Sequence, residues 1–190
     1  MKKTFFIAAS ILFTSHAFAQ LKPFVTVDYA RDEKRAGGAE SFSTGVAVGI
    51  KMPDKVEYSL KTTFSQPFPN GGAISNSVEL KLKKSYDLGL PVQPYASVRL
   101  GEKFETARDF AFYGFDFGLK MPVAAGTYLD VGTRYRDAFS TDIDFHSWRV
   151  HGTVSYDFDT HNTVGLRYSQ STGYVSEAKT GWRIHYTYNY

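Results

Sequence analysis

Four arginines, Arg134, Arg149, Arg167 and Arg183, recur fifteen to eighteen residues apart near the end of the chain. A guanidinium stays charged at any physiological pH, and its planar fork matches carboxylate, sulfate and phosphate oxygens. Four of them on one surface repel each other unless anions sit among them, so the chemistry they offer is anion recognition. Lys61, Lys81, Lys83 and Lys120 share their setting, each on the polar side of an alternating stretch. Other chemistry is thinly represented. His146-Ser147 and His151 with Ser155 are the only pairs suggesting a base beside a nucleophile, and neither has an evident orienting carboxylate in the sequence. No catalytic residue is assigned on that basis, and an enzyme acting on outer-membrane lipid or peptide is the minor reading. Cysteine is absent, and there is no metal-ligand spacing or phosphate-binding glycine loop, so no cofactor or metal is implied.

The elements that carry these residues alternate strictly. In the last ten residues Trp182, Ile184, Tyr186, Tyr188 and Tyr190 take one parity, and Arg183, His185, Thr187 and Asn189 the other. A strand places these sets on opposite faces. Nine earlier segments repeat the pattern: Phe24–Ala30, Phe42–Met52, Val56–Phe64, Val78–Tyr86, Tyr95–Leu100, Ala111–Met121, Tyr128–Arg136, Trp148–Tyr156 and Thr163–Ser169. Most have the length needed to cross a bilayer at a tilt. A soluble edge strand with such an aromatic face would aggregate, whereas in lipid it is stable once paired on both sides. The expected fold is therefore all-β: a transmembrane antiparallel up-and-down β-barrel of ten strands, with eight or twelve as the neighbouring even counts. A secreted barrel with its apolar faces inside is the competing architecture. Short connections after even strands and connections of about ten residues after odd ones put both termini on the periplasmic rim. Outward aromatics fall near strand ends, as interfacial girdles require.

The first nineteen residues read as a cleaved secretory signal: Lys2 and Lys3, an apolar run from Phe5 to Phe13, and Ala17-Phe18-Ala19. The expected mature protein, residues 20–190, is one barrel domain. Its 20 basic residues face 19 acidic ones, which removes any whole-molecule argument for nucleic acid. The expected location is the outer membrane of a Gram-negative cell. Membrane lipid, lipopolysaccharide and, through the C-terminal strand, the barrel-assembly machinery are the expected partners.

Charge is unevenly divided between the faces. The inward parity holds eleven basic residues: Lys51, Arg99, Arg136 and the eight named above. It holds five acids, Asp28, Glu57, Glu79, Asp116 and Asp130. A near-neutral protein thus has a lumen of about +6, and five carboxylates cannot neutralise it. Water or an anion must occupy the space, and inward Gly and Ser residues are expected to widen it. The reading is a narrow porin or channel for anionic solutes, with the four arginines as an outer selectivity arc and the four lysines continuing the path. A closed structural or adhesin-type barrel is the alternative.

The opening Val27-Asp28-Tyr29 strand with its charged loop, and the closing Trp182-Arg183-Ile184-His185-Tyr186-Thr187-Tyr188, resemble the small monomeric porins specific for oligogalacturonate. That resemblance implies acidic oligosaccharides as solutes. It also implies twelve strands, from which ten segments depart by one hairpin.

Overall fold

The computed structural model describes residues 21–34, 40–68, 74–106, 108–173 and 178–190. Ten antiparallel strands close into one barrel: β1 (Lys22–Lys34), β2 (Glu40–Lys51), β3 (Val56–Phe68), β4 (Ser75–Ser85), β5 (Gln93–Glu105), β6 (Phe110–Ala124), β7 (Thr127–Ala138), β8 (Ser147–Asp157), β9 (Asn162–Gly173) and β10 (Lys179–Asn189). Each strand pairs with its sequence neighbours, and β10 returns to β1. At that seam Asp28 lies opposite His185, and the Tyr190 N–H donates to the Pro23 carbonyl at 2.9 Å. Closure leaves no unpaired edge, the condition for strands to sit in lipid. The expected signal segment lies outside the described residues.

The register fixes the tilt. A path crossing the strands at right angles from Lys22 through Lys51, Glu57, Lys83 and Asp116 returns to β1 at Lys34, twelve residues further on. Such stagger requires strands inclined by roughly 40° to the barrel axis.

Burial inverts the pattern of a soluble barrel. Outward Val48, Leu60, Leu80, Leu100, Leu166 and Ile184 are each about half exposed, whereas inward Ser59, Ser97, Thr153 and Ser169 are buried. Polar residues fill the inside and an apolar belt faces out, which rules out the barrel with an apolar pocket. Aromatic pairs mark both margins of the belt: Tyr135 with Trp148 and Tyr168 with Trp182 at one rim, Tyr188 with Tyr190 at the other.

Several boundaries differ from those expected. β1 runs on to Lys34 and β3 to Phe68, beyond the apolar segments, because the polar ends stay paired as hairpin arms. Connections on that rim shorten accordingly, to eight residues between β7 and β8 and fewer elsewhere, rather than about ten. β5 begins at Gln93 and includes Pro94, whose carbonyl accepts from the Tyr86 N–H at 2.8 Å. On the opposite rim the β6–β7 turn is only two residues and uses Gly126 at φ 69°, a conformation that a side chain disfavours.

Candidate functional site

The strands place all five inward acids and their partners around the bore. Asp28 takes the Lys61 ammonium at 2.5 Å and the Arg183 guanidinium at 3.5 Å. Glu57 pairs with Lys81 at 2.8 Å. On the β4–β7 wall a continuous chain runs Glu79, Arg99, Asp116, Arg134: Arg99 bridges the two carboxylates, Arg134 Nε donates to Asp116 at 2.6 Å, and the Ser97 hydroxyl does the same at 2.6 Å. Asp130 accepts from the Tyr95 hydroxyl at 2.9 Å and lies 3.3 Å from His151 Nε2.

Six of the eleven inward bases have no carboxylate within ion-pair distance among the described residues: Lys51, Lys83, Lys120, Arg136, Arg149 and Arg167. Neutral groups hold most of them. Lys83 lies over the Tyr95 ring at 4.2 Å, Lys120 over Tyr128 at 4.1 Å and Lys51 over Phe24 at 5.2 Å, cation–π contacts that need no counter-charge. Arg167 Nε donates to the Thr153 hydroxyl at 2.8 Å. The clue available in the sequence was Phe112 and Tyr128 standing on the polar parity; Phe145, supplied by the β7–β8 loop, left no such signal.

The four arginines do not form a single row. Arg134 stands directly opposite Arg149, and Arg167 directly opposite Arg183. Between these pairs the register slips, Arg149 facing Ser171 and Arg167 facing Thr153. The outer arc expected from strand-by-strand reading is therefore two cross-strand pairs, with Arg167 and Arg183 well inside their strands. The stagger of a tilted barrel, invisible in any one segment, separates them.

Inward glycines do less to widen the bore than expected. A Cβ at Gly49 would overlap the Phe24 ring, one at Gly101 the Phe112 ring, one at Gly118 the Tyr95 ring, and one at Gly165 the His185 imidazole. The space each glycine leaves is filled by a ring from a neighbouring strand.

What remains open is a void of about 540 Å³. Its lining reaches Pro67, Ser75, Glu105 and Lys179 at the strand ends of one rim, and Lys51, Glu57 and Thr187 close to the other. Eleven basic residues line it, Arg134, Arg149, Arg167, Arg183, Lys61 and Lys81 among them, with Lys103 and Lys179 in place of the Lys83 and Lys120 expected from parity. Its five acids include Asp32 and Glu105 in place of Asp116 and Asp130. Lys83 borders a separate space of about 50 Å³ with Tyr95, Asp130 and His151. Lys120 borders neither. At the long-hairpin rim Phe112, which borders the void, belongs to a buried cluster with Phe110 and Ala138, and Ile143 and Phe145 of the β7–β8 loop pack against it.

The histidines acquire carboxylates from β7 that sequence spacing did not reveal: Asp130 for His151 and Asp137 for His146, at 3.3 and 3.5 Å. The hydroxyls within reach are the phenols of Tyr95 and Tyr135. Among the described residues no Ser or Thr hydroxyl hydrogen-bonds to either ring.

A polar bore inside an apolar, edge-free shell is matched among solved structures. The chain superposes on an outer-membrane channel from Pseudomonas putida F1 with a TM-score of 0.57, at 8% identity over 90% of this chain and 95% of that one. It superposes on the NanC porin with a TM-score of 0.55, at 9% identity over 85% and 98%. The translocator domain of the autotransporter NalP from Neisseria meningitidis gives 0.53, at 12% identity over 95% and 90%. The fold is that of the outer-membrane β-barrels. At such identities the likeness to small porins is one of architecture. No protein-family profile and no curated protein matches the chain by sequence.

Proposed function

We propose that the protein is a narrow channel of the Gram-negative outer membrane, passing small anionic solutes through a basic lumen. One observation carries this reading: a void that runs between the two rims and is lined by eleven basic and five acidic residues. A lumen of one sign attracts counter-ions and repels co-ions, which is how charged rings select anions in pores. Arg149 and Arg167, like Lys51 and Arg136, line it with no carboxylate within ion-pair distance among the described residues, and Arg134, Arg183, Lys61 and Lys81 continue the field. Superposition on the Pseudomonas channel and the NanC porin supports the reading at the level of fold. Acidic oligosaccharides fit the sign of the lumen; the ring-filled glycines favour thin, extended chains over wide ones. Cleavage after Ala19, delivery by the assembly machinery through the aromatic C-terminal strand, and seating in lipopolysaccharide complete the proposal.

The Phe110–Phe112–Phe145 cluster favours a second reading, a closed structural barrel. Reversal potentials in a planar bilayer under a KCl gradient separate the two. Chloride preference that falls in R149Q and R167Q supports the channel. Absence of conductance overturns it in favour of the closed barrel.

A further inference from the structure

We infer that Arg136 and Arg149 form a residence site for a single oxyanion group, such as a phosphate, sulfate or solute carboxylate, on the β7–β8 wall. The inference rests on the channel reading for its physiological meaning, though not for its chemistry. Arg136 lies with its guanidinium carbon 4.3 Å from the Phe145 ring and 5.4 Å from the Phe112 ring. Rings stacked on the face of a guanidinium hold its plane and leave its N–H edge available. The Nε of Arg136 is buried and has no hydrogen-bond acceptor. A fixed, unsatisfied donor of this kind is costly unless something accepts from it.

Arg149 stands one strand away and also lacks a carboxylate. Its cross-strand neighbours are Arg134 and Ser171, and no carboxylate lies within ion-pair distance among the described residues. Arg134 cannot compensate, because it is itself a cation with donors only, and its Nε donates to Asp116. Both Arg136 and Arg149 line the main void, and the register sets Arg149 two residues along from Ser147, the cross-strand partner of Arg136, so the two stand diagonally on adjacent strands and face one stretch of the bore. The other unpaired bases are already satisfied by rings or neutral oxygens. Two guanidinium forks present paired, in-plane N–H groups that suit an oxyanion with two or more oxygens better than a spherical halide. Serine is the cross-strand neighbour of each, Ser147 beside Arg136 and Ser171 beside Arg149, which leaves the wall low there. A solute held at this point would make passage saturable rather than freely diffusive.

The test uses the full-length purified barrel and inorganic phosphate. In a planar bilayer with KCl, added phosphate should reduce the chloride current along a saturating curve. The half-blocking concentration should rise about tenfold or more in R136Q and in R149Q, the loss of one charge-assisted fork. R136K, which keeps the charge but not the fork, should block several-fold less well than the parent, and K55Q at the short-turn rim should match it. Calorimetry of phosphate binding to the detergent-solubilised barrel gives a readout independent of conductance, and R149Q carries the comparison if R136Q fails to fold. A chloride-selective channel with no saturating block and no phosphate heat overturns the residence site while leaving the channel standing. A non-conducting barrel whose phosphate heat is lost in R149Q sinks the channel and supports the site.

Discussion

Phe145 and His146 are consecutive in the chain and lie on opposite faces of the barrel wall. Phe145 meets the inward residues Phe110 and Arg136, at 4.8 and 4.3 Å. His146 packs edge-on against outward Tyr135 at 5.0 Å, with its Nδ1 3.2 Å from the Tyr135 hydroxyl. The β7–β8 loop is thereby pinned from both sides just before it becomes β8, so the aromatic cluster at the mouth is part of the wall.

Removing the inner pin should widen the mouth. F145A is expected to raise single-channel conductance and to destabilise the barrel by about 2 kcal/mol, less than a fully buried Phe-to-Ala change. Conductance steps and urea unfolding in micelles check both effects. Unchanged conductance would mean that Phe145 does not border the permeation path.

Asp116 holds Arg99 and Arg134 together, with its side chain only 4% exposed. D116N removes the carboxylate charge that two guanidinium groups share and is expected to destabilise by about 3 kcal/mol. The same change should increase chloride preference, because Arg134 then acts on the lumen without a carboxylate while Arg99 keeps Glu79. Loss of stability without a selectivity change would place this network outside the path.

Among the described residues Phe112 is the most deeply buried large side chain, 1% exposed, and its ring lies over Gly101 on the paired strand. G101A sets a methyl against that ring and against the Val78 carbonyl, which cannot swing aside. The expected destabilisation is roughly 1–3 kcal/mol, the range for overpacking. The double variant G101A/F112L should recover part of it, and urea midpoints measure both.

The β8–β9 turn should respond to acid. Asp159 accepts from the His161 N–H at 2.7 Å and the Asn162 N–H at 2.8 Å. The Asn162 side chain, then the His161 N–H, hold its carboxyl below the usual value. A depressed carboxylate contributes its stability above the unfolded value, about 4, and loses it as pH falls through the lower folded value. Amide exchange at His161 and Asn162 should therefore accelerate only in acid, and D159N should abolish that dependence.

The sequence by itself determined the barrel. A two-residue period over ten segments settles which side chains face out, and the structure turns Arg134, Arg149, Arg167, Arg183, Asp28, Glu57 and Glu79 to the main void and Asp116 and Asp130 to the smaller one. Net lumen charge followed from the same parity. Partners within the lumen did not, because strand stagger decides which inward residues share a level. That stagger split the four arginines into two pairs, gave Asp28 to Lys61 more closely than to Arg183, and brought Asp130 to His151. It also laid Phe24, Tyr95 and Phe112 over glycines that alternation alone read as open space. Parity is a property of each strand, whereas stagger accumulates around the ring and exists only once β10 has closed onto β1.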